Sequence, residues 1–206
     1  VRAIRREKDA SIVLAYEKVK EYGYDGILSA GSTGALLSGG LFISKRIKGI
    51  DRAALATSLP SKDSITLLMD TGANMDCKAE FLKEFALMGK VYLENVYGIK
   101  NPRVSLLNVG VEEHKGNKLT KETYSLLKNE NLNFIGNIEA RDLFTSDSNI
   151  ILADGFAGNV AIKTAEGILK LMNNELKEVF FKSFSNKIAA SIIKKDLKAM
   201  ICLLYT

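Results

Sequence analysis

Asp70, Gly72 and Asn74 follow directly on one apolar run (residues 65–69), and Asp154, Gly155, Gly158 and Asn159 follow directly on another (residues 150–153). An acid, a flexible glycine and an amide in one loop are the parts needed to steer a reacting carbonyl. The amide of Asn74 can donate to a developing oxyanion, and Asp70 can orient a neighbour or take a proton. Two more loops carry related groups. Residues 104–107 lead into Asn108, Glu112, Glu113, His114, Lys115 and Asn117, and residues 134–135 lead into Asn137, Glu139, Arg141 and Asp142. The fork of Arg141 suits a phosphate or carboxylate, and Glu113 beside Lys115 can position a proton donor or a phosphate. A fifth loop, Ser29, Gly31, Ser32, Thr33 and Gly34, is almost all small. Its backbone N–H groups can approach an anion, and its hydroxyls can add donors.

Each loop also has a plain structural reading. Asp70 and Asn74 are good turn formers. Glu113, His114 and Lys115 read equally as a solvated charged run, Arg141 as the ion-pair partner of Glu139 or Asp142, and residues 29–34 as a tight turn. Cys77 lies near a predicted helix start, where a thiolate would be favoured, but no motif brings a base to it and it is read as incidental.

Such loops need elements to hold them. Helical spacing runs from Arg5 to Tyr22, with Ile12, Ala15, Tyr16 and Val19 on one face and Gly23 as the stop. A strand is predicted around Ile27 and a helix from Gly34. Residues 46–64 are punctuated by Gly49, Pro60 and Asp63, with a short strand near residues 54–57. Phe81, Phe85, Met88, Tyr92 and Val96 mark an amphipathic helix. Another is predicted over residues 119–128 with Thr120 as N-cap, and a last one over residues 160–176 with Ile162, Ala165, Leu169, Met172 and Leu176 inward. Strands and helices alternate, and the later strands are almost continuously apolar, as in strands covered on both faces. The expected fold is an α/β three-layer α/β/α sandwich with a mainly parallel sheet, whose strand-end loops gather along one edge.

The bulk numbers narrow the class. Of 206 residues, 47% are hydrophobic and 26% charged, and the net charge is +5. That excess is small and dispersed, with no basic stripe interleaved with aromatics, so no nucleic-acid partner is expected. Two cysteines give neither a disulfide framework nor a zinc spacing, and a cytoplasmic setting is expected. The glycine patterns of ATP and dinucleotide sites are absent. The chain opens at Val1 and closes in an apolar segment at residues 201–206, and is expected to be a piece of a longer protein.

Together the loops resemble the bacterial phosphate acyltransferases of phospholipid synthesis. The resemblance is carried by SAGSTGA (residues 29–35), GLFI (40–43), IKGIDR (47–52), GAN (72–74), the Glu112 and Glu113 pair with KGN (115–117), NFIGN (133–137) and DGFAGN (154–159), in the family's order. It implies acyl transfer from acyl carrier protein to inorganic phosphate, and a fold akin to phosphate acetyltransferases and isocitrate or isopropylmalate dehydrogenases. It also implies a homodimer, no metal or organic cofactor, and peripheral membrane contact. On this reading the catalytic candidates are Asn74, Asp70, Glu113, Lys115, Asn137, Arg141, Asp154 and Asn159. Phosphate would lie at Ser29, Gly31, Ser32, Thr33 and Gly34.

Ser32 stands where the family usually has Asn, and the family's opening strand and closing glycine-rich segment have no counterpart here. Three rivals stay open: a phosphate acetyltransferase-like enzyme using acyl-CoA, a nicotinamide dehydrogenase of related fold, and a carrier-binding module without catalysis. The expected division is a catalytic core over residues 1–178 and a basic amphipathic helical segment over residues 179–206. That segment is expected to pack on the fold or on a second subunit, with a membrane surface as the sharper reading.

Overall fold

The computed structural model describes residues 4, 6–60 and 65–204, with side chains as far as residue 196. Expectations resting on Arg5, on Asp63 and on the side chains of residues 201–206 lie outside what is described. The chain divides into two compact units, Val1–Ala54 and Leu55–Thr206.

The first unit is helical among its described residues. Helix α1 (Ser11–Tyr22) ends as its sequence predicts: Gly23 takes a left-handed conformation, φ 68°, and its N–H closes on the Val19 carbonyl. Helix α2 (Thr33–Gly39) runs on into a π-helical turn, Gly40–Ser44. Tyr16 joins the two. Its hydroxyl donates to the Leu36 carbonyl at 2.7 Å, and its ring lies so close to Gly39 that a methyl group there would sit 2.2 Å from ring carbon. Burial raises the Tyr16 hydroxyl above its ordinary range. The strand expected around Ile27 does not form. Two apolar residues between Gly26 and Ser29 have no partner strand among the described residues of this unit, and Leu28 is fully exposed.

The second unit carries a sheet of five strands: β1 (Ala56–Pro60), β2 (Ile65–Met69), β3 (Arg103–Asn108), β4 (Asn133–Glu139) and β5 (Ile150–Leu152). Their spatial order is β1, β2, β5, β3, β4. Strand β1 is antiparallel to β2, and every other pairing is parallel. Among the parallel strands, β2, β3 and β5 carry the apolar runs. Leu67, Leu68, Val104, Leu106, Ile150, Ile151 and Leu152 are fully buried, each contributing roughly 1.5–3 kcal/mol relative to exposure.

Helices cover both faces, giving the expected three-layer sandwich. Helix α3 (Ala79–Val96) lies over β2 and β5, and α4 (Lys118–Lys128) over β3 and β4. On the other face, Leu68, Ile151, Ala153 and Leu143 form a cluster that Ala161 and Ile162 of α5 (Gly155–Phe181) join.

Three details depart from the sequence reading. The buried face of α3 is Leu82, Phe85, Ala86, Gly89 and Leu93, while Tyr92 and Val96 are exposed. The helix meets the sheet through its small residues: at Gly89, Met69 Sδ and Ile150 Cδ1 lie 3.1 Å from where a Cβ would stand. The cap of α4 is Asn117, whose side chain accepts from Thr120 N, so Thr120 is the capped residue rather than the cap. The apolar run of residues 134–135 does not end in a loop: β4 continues through a bulge at Ile135, which the register passes over between Phe134 and Gly136, and Gly136 takes φ 104°.

Helix α5 is ten residues longer than its pattern predicts, and only Gly155 and Gly158 are buried in it. Met172, expected to face inward, is exposed. A second long helix, α6 (Phe184–Leu204), follows and packs against α5 and β1.

Candidate functional site

Because β2, β5, β3 and β4 are parallel, the loops leaving their carboxyl ends share one edge of the sheet. Four of the five chemistry-bearing loops therefore lie along it. The fifth, residues 29–34, belongs to the helical unit.

The loops after β2 and β5 are joined directly. Gly155 N donates to the Asn74 carbonyl at 2.8 Å, and Asp70 N to the Ala153 carbonyl at 2.9 Å. This contact explains both glycines of the DGFAGN segment. A methyl group on Gly158 would stand 2.0 Å from the Asp70 carbonyl oxygen, and one on Gly155 2.4 Å from that of Asn74. Only a bare backbone lets the first turn of α5 come this close.

Asp70 organises the cluster from inside. Its side chain is completely buried, and its two oxygens take five N–H donors. Oδ1 accepts from Leu55 N, Gly72 N and Ala73 N at 3.0–3.2 Å, and Oδ2 from Asn74 N at 2.7 Å and Asn74 Nδ2 at 2.8 Å. A carboxylate so fully engaged cannot collect a substrate proton without breaking its own loop. Of the two roles open to Asp70, the geometry favours orienting Asn74. Asn159 lies beside Gly72, about 3.8 Å from where a Cβ would stand. Asp154 caps α5, its Oδ1 accepting from Phe156 N and Ala157 N at 2.9 Å.

Cys77 sits in the same cluster, its thiol donating to the Asn74 carbonyl at 3.5 Å. Burial pushes its pKa up to about 11, with Asp70, Asp154 and Asp76 adding to the rise against a backbone hydrogen bond from Gly155 that lowers it. It is a neutral thiol at physiological pH, in keeping with an incidental role.

The other two loops hold their charged groups outward. Asn108 pins the β3 loop, donating from Nδ2 to the Lys115 carbonyl at 3.2 Å and accepting Val109 N at 2.9 Å. Glu112, Glu113, His114 and Lys115 are all exposed. Glu113 pairs with Lys128 at 3.0 Å and raises the Lys128 ammonium above its usual range. Asn137 is buried within β4. It donates to the Glu112 carbonyl at 3.0 Å, and its Oδ1 has no protein partner among the described residues. Arg141 is exposed and ion-paired with Glu139, with Asp142 at 4.0 Å.

Beside these loops opens a cleft of about 1120 Å³, bordered by Asn108, Asn117, Arg141 and Asp154 and walled by the inner face of α5. Its apolar lining was invisible in the sequence, where Ala165 and Leu169 read as ordinary core positions of a helix. In the helical unit, residues 29–34 are exposed, and Gly31 N donates to Ser29 Oγ at 3.2 Å. Ser32 precedes α2 without capping it through its side chain. Among the described residues no cluster of histidine, cysteine and acidic side chains could hold a metal ion.

The profile of the family described as "Fatty acid synthesis protein" matches residues 1–202. The phosphate acyltransferase of Clostridium tetani is 51% identical over 198 residues, 96% of this chain and 59% of that protein. That of Bacillus pumilus is 51% identical over 201 residues, 97% of this chain and 60% of that protein. The chain thus spans about three-fifths of the length of these relatives. Among solved structures, the EutD phosphotransacetylase of Staphylococcus aureus matches with TM-score 0.57 and 20% identity, covering 75% of this chain and 54% of that one. A phosphotransacetylase of Streptococcus pyogenes matches with TM-score 0.56, also at 20% identity, over 75% of this chain and 55% of that one. At that identity the likeness shows the fold, and it agrees with the three-layer sandwich.

Proposed function

Because the chain belongs to the fatty acid synthesis protein family, we propose that the whole protein moves a fatty acyl group from acyl carrier protein to inorganic phosphate. The observation that supports this most is half identity, sustained over nearly the entire chain, to proteins named phosphate acyltransferase. A phosphate oxygen attacks the thioester carbonyl, and the tetrahedral intermediate collapses with loss of the carbon–sulfur bond. The products are acyl phosphate and the carrier thiolate, which takes a proton from water. Thioester and acyl phosphate are both activated acyl groups, so positioning the two substrates supplies much of the rate.

In this reading Asn74 donates to the developing oxyanion and Asp70 holds it in place. Asp154 and Asn159 fix the adjoining turn, and the exposed cation Lys115 attracts anionic substrate. Glu113, Asn137 and Arg141 shape their loops through the contacts described above. Residues 29–34 recognise phosphate through Ser32, Thr33 and exposed backbone N–H groups. The last assignment is checked by the KM for phosphate, which rises in Ser32→Ala and Thr33→Ala if it holds.

The Asn74→Ala variant of the full-length protein tests the central role. Removing one oxyanion donor typically costs about 10²–10³ in turnover. The variant is expected to lose that much kcat while still binding acyl carrier protein, and unchanged kcat would remove Asn74 from the chemistry. Acetyl-CoA as the better acyl donor would move the assignment to a phosphate acetyltransferase. Binding of carrier protein by the full-length protein without acyl phosphate would make it a binding module.

A further inference from the structure

Thr57 and Thr71 bring their hydroxyls together where the Asp70 loop leaves the sheet, and neither takes part in the transfer step itself. We propose that Thr71, locked by Thr57, is a positioning residue that sets the Asn74 side chain through Leu55 and Asp70. The proposal rests on the acyl-transfer reading and deepens it by naming what holds the oxyanion donor.

Strand β1 runs antiparallel to β2 with Ala56 opposite Met69, so Leu55 falls opposite Asp70, one step beyond the last pair. The loop takes both backbone groups of Leu55. Its N–H donates to Asp70 Oδ1 at 3.0 Å. Its carbonyl accepts Thr71 N at 3.0 Å and Thr71 Oγ1 at 3.1 Å. A carbonyl oxygen offers two lone pairs, and Thr71 alone fills both.

The direction of the remaining bond follows. Thr71 Oγ1 lies 2.8 Å from Thr57 Oγ1. A hydroxyl carries one proton, and that of Thr71 goes to the Leu55 carbonyl, so Thr57 donates to Thr71. Thr71 is only 6% exposed, and water does not readily replace a hydroxyl lost there. Of the five donors to Asp70, four belong to the loop itself and move with it. Leu55 ties the carboxylate to the sheet. A carboxylate is planar, so fixing Oδ1 also fixes Oδ2, which accepts Asn74 Nδ2 at 2.8 Å. Loosening Leu55 therefore lets the carboxylate and the Asn74 amide swing together. Misplacing a catalytic group by about 1 Å can cost roughly a hundredfold in rate.

The test uses the full-length protein with palmitoyl-carrier protein and phosphate. Thr71→Val and Thr71→Ser are each made alone and together with Asn74→Ala. Thr71→Val is expected to lower kcat by about tenfold or more, with both KM values within about twofold of wild type. Thr71→Ser is expected to restore kcat, and Thr71→Val to cost nothing further once Asn74 is alanine. Thr57→Val, which removes only the locking donor, should lower kcat less, and it carries the test if Thr71→Val fails to fold. An equal fall in both backgrounds overturns the proposal. So does a lowered Tm with unchanged kcat, which leaves the two threonines holding strand β1 alone. A second readout needs no turnover: the side-chain amide resonance of Asn74, identified by its loss in Asn74→Ala, should shift in Thr71→Val and return in Thr71→Ser. Wild-type protein that forms no acyl phosphate sinks the acyl-transfer reading, and the resonance still decides whether Thr71 sets Asn74. An unmoved resonance in Thr71→Val overturns the proposal whatever the activity.

Discussion

Asp70 and Cys77 show how far environment decides the part a reactive side chain can play. A buried carboxylate is tolerable only when its charge is met by hydrogen bonds, and five N–H donors meet that of Asp70. Those bonds fold the loop back on itself and set the Asn74 amide. Cys77, a few residues on, has the opposite balance. Its pKa is raised from 9.0 to about 11, so the protein favours the neutral thiol. The unfolded chain then ionises first as pH rises. Stability tied to this thiol is full below pH 9.0 and is lost between 9.0 and about 11. Iodoacetamide labelling of the full-length protein in a Cys202→Ser background is expected to stay slow at neutral pH and to accelerate towards pH 11. Rapid labelling at pH 7 would mark an activated thiol and return Cys77 to the list of nucleophiles.

At the scale of elements, the strand-end loops depend on close packing that glycine alone allows. The Asp70 loop and the start of α5 touch backbone to backbone at Gly155 and Gly158. A Gly158→Ala variant must push the helix away or distort the loop. It is expected to lower stability by about 1–3 kcal/mol in denaturant unfolding and to reduce turnover with it. Stability within 0.5 kcal/mol of wild type would show that the contact is looser than described.

Much at this scale was legible beforehand. Runs of Ile, Leu and Val ended at Asp or Asn, and these became β2, β3 and β5 with bounds within a residue or so. What periodicity could not supply was the partner. Ile27 and Leu28 are strand-like residues with no strand to pair with among the described residues of their unit. Tyr92 and Val96 fit a helical stripe, but α3 approaches the sheet through Ala86 and Gly89, one step round the helix. Asn137 read as a loop amide because the apolar run stops at residue 135, whereas β4 continues past it through a bulge at Ile135. The roles of the candidate residues were legible as types only, since a sequence cannot show that Arg141 spends its charge on Glu139.

The whole molecule leaves a long apolar surface in view. Ile168, Leu171, Met172, Val179 and Phe181 on α5, and Phe184, Ile188 and Ile192 on α6, are exposed. Lysines 182 and 187 are interleaved with them. No helix among the described residues is long and apolar enough to cross a membrane. The expected contact with a second subunit is tested on these helices in the full-length protein. Sedimentation should then show a dimer that Phe184→Glu with Ile188→Glu converts to monomer; a dimer that survives both changes would place the interface elsewhere. Liposome flotation of the same variants reads out the membrane alternative, which gains support if wild type floats and they do not.

The claim on which the rest depends is that phosphate oxygen attacks an acyl thioester held at the strand-end edge. Full-length protein incubated with palmitoyl-carrier protein and phosphate uniformly labelled with oxygen-18 answers it by mass spectrometry. The expected product is palmitoyl phosphate that retains every labelled oxygen, formed together with free carrier thiol. Release of free fatty acid alone, or no product except with acetyl-CoA, would contradict it.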